Sequence, residues 1–66
     1  MVNEKFLIVS DGNILQVLSE NLQNSKNKHH SFTVQFIQSA TKQGLKFLML
    51  KPDLEKAIRW EYFEKV

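Results

Sequence analysis

Sixty-six residues without a cysteine leave this chain one small core and no covalent staple to hold it. A chain of that size buries only about 60% of the surface that its unfolded form exposes. With neither disulfides nor thiolate metal sites to add, it must pack well or borrow a partner. Its length excludes two domains, a barrel or a complete large enzyme, and residues 1–66 are read as one small module. Hydrophobic residues at 42%, charged at 24% and aromatic at 11% lie near globular averages, so the chain is expected to fold.

Lys5 to Ser10 is a short apolar run closed by Ser10-Asp11-Gly12-Asn13, and it reads as a buried strand followed by a turn. Ile14, Leu15, Val17, Leu18 and Leu22 then fall at helical spacing, with Gln16, Ser19, Glu20 and Gln23 pointing away. This spacing predicts a first helix over residues 12–23, capped by Asp11 or Asn13. From Asn24 to Ser31 no apolar residue occurs, as expected of a solvated loop. Phe32, Val34 and Phe36 alternate with Thr33 and Gln35, and Ile37 follows, which predicts a second strand.

Residues 40–50 admit two readings. If Gly44 is a turn, Leu45–Lys51 is a third strand in a hairpin with the second; if Ser39 is a cap, the segment is a helix that accepts Gly44 at about 1 kcal/mol. Pro52 suits the first position of a helix, where its missing N–H has no intrahelical partner, and Asp53 and Glu55 follow near the positive end of the dipole. Leu54, Ala57, Ile58 and Tyr62 keep helical spacing, whereas Trp60 and Phe63 project to other faces. Either that helix touches a partner, or it stops near Arg59 and Trp60–Val66 is a strand.

Nine Lys and Arg against seven Asp and Glu give a net charge of +2, which permits a nucleic-acid partner without requiring one. The runs Phe6–Val9 and Phe47–Leu50 are far shorter than the ~20 residues of a membrane helix. They are also too short for a signal-peptide core. Absence of cysteine fits a reducing cytoplasm, and richness in Lys, Asn, Ile, Phe and Gln suggests a bacterial or viral host with an AT-rich genome. His29 and His30 form the only histidine pair, but no His-x3-His or Cys-x2-Cys spacing accompanies them, so neither a metal nor a cofactor is expected. Lys26, Lys28, His29 and His30 could meet phosphate, with Phe32 or Phe36 stacking on bases if they lay on an open sheet face. The carboxylates form no acid–base pair of distinctive spacing, and glycine-rich phosphate loops and nucleophile elbows are missing. The chain is not expected to be an enzyme on its own.

Phe32-Thr33-Val34-Gln35-Phe36-Ile37 and Pro52-Asp53-Leu54-Glu55-Lys56-Ala57-Ile58, set around Ser39 and Gly44, resemble the N-terminal part of phospholipase-D-like nuclease domains attached to bacterial helicases and restriction-type proteins. In that family the serine and glycine are usually adjacent, whereas four residues separate them here. The resemblance implies an α/β layer opening in βαβα order with a C-terminal helix, a helix over 40–50, and a DNA-processing context. The family's His-x-Lys signature is missing, so no catalytic role carries over, and the resemblance would make this chain an N-terminal fragment or truncated relative. The alternative is an α+β protein in βαββα order, such as a small phage or plasmid regulator or a homo-oligomer, acting through Trp60 and Phe63.

Overall fold

The computed structural model describes residues 1–21 and 30–66. They form strands β1 (Lys5–Ile8), β2 (Ile14–Asn21), β3 (Ser31–Gln38) and β4 (Lys46–Leu50), helix α1 (Lys51–Arg59) and strand β5 (Phe63–Lys65). The sheet is antiparallel throughout, in the order β4-β3-β2-β1-β5. Four strands run as a meander, and α1 then crosses the sheet so that β5 joins the far edge beside β1.

Strand alternation sorts the side chains onto two faces. Phe6, Leu15, Val17, Phe32, Val34 and Phe36 are buried on one face, under Leu54 and Ala57 of α1. Phe47, Met49, Ile58 and Phe63 pack around this core half-buried. Cross-strand partners on this face include Val17 with Val34, Val34 with Phe47 and Phe32 with Met49. The opposite face carries Gln16, Thr33, Gln35, Lys46, Leu48 and Leu50, with Leu7 and Ile14 half-buried, and no helix covers it among the described residues.

The α/β reading in βαβα order is therefore corrected, and so is the alternative βαββα order, since both placed a helix at residues 12–23. Of that segment, Ile14–Asn21 is β2, the middle strand of the sheet, and residues 22 and 23 lie outside the described residues. Two features imitate helical spacing. A middle strand carries apolar residues on both faces, here Leu15 and Val17 inward and Ile14 outward. A bulge then inserts Leu18 between the pairs Val17–Val34 and Ser19–Thr33, breaking the two-residue period. Asp11 and Asn13 belong to the β1–β2 turn, where Gly12 adopts φ 74 and its N–H donates to the Ile8 carbonyl at 2.8 Å.

Residues 40–50 hold no helix either. Ser39 Oγ accepts the Lys42 N–H at 3.0 Å, as a helix N-cap would, and the Gln43 side chain accepts the Ser39 N–H at 3.0 Å. Only one turn follows, because Gly44 at φ 82 reverses the chain and its N–H donates to the Phe36 carbonyl at 2.9 Å. The hairpin of β3 with β4 and the helix end at Arg59 match the readings that placed strands after Gly44 and after the helix, although the last strand is only Phe63–Lys65 and Trp60–Tyr62 form a turn.

Candidate functional site

Helix α1 closes with a Schellman arrangement that fixes what comes after it. The Tyr62 N–H donates to the Ala57 carbonyl at 2.9 Å and the Glu61 N–H to the Ile58 carbonyl at 3.2 Å. Glu61 occupies the left-handed position of this turn at φ 62, where glycine is usual. The Tyr62 carbonyl then accepts the Val9 N–H at 3.0 Å, tying the turn to the end of β1.

Two aromatic side chains emerge from this anchored turn. Trp60 is 58% exposed and Tyr62 59% exposed, and their rings meet edge to face with centroids 6.1 Å apart. Lys56 Nζ lies 5.7 Å from the Trp60 ring centroid, within cation–π range. Pro52, Glu55, Lys56, Arg59 and Trp60 line an open hollow of about 330 Å³ along the solvent side of α1. It has two apolar walls, two cationic groups and one carboxylate, which suits a partner side chain better than an enclosed substrate.

Of the two residues expected at a partner interface, Trp60 is exposed and Phe63 is not. Phe63 is half-buried with its ring centroid 6.5 Å from that of Phe6, so it holds β5 to the core. Tyr62, read from the sequence as part of the helix face, is the second exposed aromatic. The signal for it lay in the reading that ended the helix near Arg59, since a turn frees residues that a continuing helix would hold on its buried face.

Of the residues expected to meet nucleic acid, Lys26, Lys28 and His29 lie outside the described residues. His30 is paired: its Nδ1 is 3.1 Å from the Glu20 carboxylate. Phe32 is buried in the core with Leu54 of α1 and Phe36 is buried against Phe47, so neither is available to stack on bases. Lys42 Nζ sits 5.4 Å from the Phe36 ring centroid, capping the rim of the core. Among the described residues no three His, Asp or Glu side chains gather as metal ligands, and no helix is long and apolar enough to cross a membrane. No protein-family model matches the chain, and neither a curated protein nor a solved structure matches it.

Proposed function

We propose that this chain is a non-catalytic protein-interaction module that engages its partner through Trp60, Tyr62 and the adjoining hollow on α1. The observation that carries this reading is the exposed aromatic pair on a hydrogen-bonded turn. Large aromatics with few rotatable bonds lose little entropy on binding, and Trp and Tyr dominate the energetics of known interfaces. Lys56 and Arg59 outnumber Glu55 around the hollow, which favours a partner presenting an acidic group beside an apolar one. This reading stands without the phospholipase-D-like resemblance.

Trp60 is the only tryptophan, so its emission reports directly on the surface. Because the side chain is mostly solvated, Trp60→Ala should fold with stability within about 0.5 kcal/mol of the parent, as surface substitutions do. The parent chain should retain from a host extract a protein that Trp60→Ala and Tyr62→Ala both fail to retain. Equal retention by all three chains would refute the assignment. Labelled duplex and single-stranded DNA, titrated at about 50 and 200 mM salt, test the nucleic-acid reading in parallel. Saturable binding that weakens steeply with salt, unaffected by Trp60→Ala, would move the function away from α1.

A further inference from the structure

The two edges of the sheet are built differently. β5 is three residues long and presents Glu64 and Lys65, with Lys65 Nζ 3.5 Å from the Glu4 carboxylate. Short, charged edges of this kind resist pairing with another strand. β4 is five residues long, has four apolar residues in a row, and contains no bulge or proline. Leu48 at its centre is 64% exposed and Leu50 nearly half exposed.

The hydrogen-bonding phase of β4 follows from its pairing with β3. Phe36 donates to the Leu45 carbonyl at one end of the ladder and Lys51 donates to the His30 carbonyl at the other. Because bonded and non-bonded pairs alternate along an antiparallel ladder, Phe47 and Met49 turn both their N–H and C=O groups toward β3, between the Leu45 carbonyl and the Lys51 N–H at the ladder's ends. Lys46, Leu48 and Leu50 turn theirs outward; the Leu50 carbonyl, at the N-cap of α1, is taken up by the helix's first turn, and the other outward groups have no partner among the described residues.

We infer that this edge is completed by β4 of a second copy, joined antiparallel about a two-fold axis at Leu48 to continue the sheet through both molecules. In that register Leu48 faces its own symmetry mate and Lys46 faces Leu50 of the other chain. Each of these facing pairs is of the hydrogen-bonded kind: the two Leu48 residues exchange both bonds, and the Leu50 N–H of each chain donates to the Lys46 carbonyl of the other. A register centred on Lys46 would place like charges opposite each other, and one centred on Phe47 would put the bonding groups out of phase.

The side chains agree with the same register. On the open face, Leu48 meets Leu48 and the aliphatic stem of Lys46 covers Leu50 of the other chain. On the α1 face, Phe47 of each chain stands opposite Met49 of the other, so the two cores become continuous. The β4 N-terminal end, with Lys42 and Lys46, lies alongside the other chain's α1 start, where the first turn carries both Lys51 and Asp53, so Asp53 is the carboxylate available to the lysines across the seam.

Sedimentation equilibrium of the whole chain from about 1 µM to about 1 mM should show a monomer–dimer equilibrium. Leu48→Pro removes an outward N–H that the monomer does not use, and Leu48→Lys sets like charges face to face. Both should remain folded by circular dichroism and weaken the dimer on the order of 100-fold, from the lost symmetric hydrogen bonds or the repulsion. A parent chain that stays monomeric to the highest concentration overturns the inference. So does a dimer that survives both folded variants or that Trp60→Ala dissociates, since the interface would then lie elsewhere. Should Leu48→Pro fail to fold, the outcome with Leu48→Lys decides.

Discussion

At the scale of single residues, Glu61 is out of keeping with its backbone. A left-handed conformation costs a residue with a Cβ about 1–2 kcal/mol, whereas glycine adopts it freely but gives up about 0.5–1 kcal/mol of chain entropy on folding. Glu61→Gly should therefore stabilise the chain by about 0.5–1 kcal/mol, read as a higher urea midpoint with an unchanged slope. The turn geometry that presents Trp60 and Tyr62 should be preserved, and partner binding with it. A lower midpoint would mean that the glutamate side chain contributes something the conformational cost conceals. No sequence pattern points to this position, because nothing in Trp60-Glu61-Tyr62 marks a left-handed residue in the way that Gly12 and Gly44 mark theirs.

At the scale of elements, α1 is held to the sheet by little. Leu54 is its only large side chain that is fully buried; Ala57 adds a small contact and Ile58 is half-buried. Its N-cap position is Leu50, which offers no side-chain hydrogen bond to the first turn. A nine-residue helix is not stable alone, so its structure depends on that docking. Leu54→Ala should cost about 2–5 kcal/mol, a large share of the roughly 3–10 kcal/mol expected for a chain of this size. A substantial unfolded population in dilute buffer, seen as lost helical circular dichroism and a collapsed urea midpoint, is the expected outcome. A loss below about 1 kcal/mol would show that Phe47, Met49 and Ile58 carry the docking instead.

The same elements show which parts of the fold are visible in sequence. α1 is announced by Pro52, and β3 by strict alternation of Phe32, Val34 and Phe36. β2 is hidden because its identity as a strand depends on neighbours at both sides and on the Leu18 bulge, and neither is a local property. Of the candidate surfaces, Trp60 is conspicuous as an aromatic off the helical stripe. The open edge of β4 is not, because which backbone groups face outward is set only once β3 has paired with it.

At the scale of the whole molecule, the pairing of β1 with β5 joins Phe6 to Lys65, near opposite ends of the chain. Such long-range closure comes at the cost of much chain entropy and makes β5 the natural place for the sheet to open first. The side chain that opposes this opening is Phe63, against Phe6. Its removal should act on one side of β1 only. The Val9 N–H donates to Tyr62 and the Lys5 carbonyl accepts from Val66, so the alternating ladder also directs the Leu7 N–H toward β5. The Ile8 N–H instead donates to the Asn13 carbonyl in the hairpin with β2. Phe63→Ala, costing about 1.4 kcal/mol for a half-buried ring, should speed amide exchange at Leu7 and Val9 about tenfold while leaving Ile8 and the β2–β3 ladder unchanged. Uniform acceleration across the sheet would make β5 part of one cooperative unit with the core. Unchanged exchange at Leu7 and Val9 would return Phe63 to the role of an interface anchor, and the burial of its ring against Phe6 would then contribute nothing to holding the sheet closed.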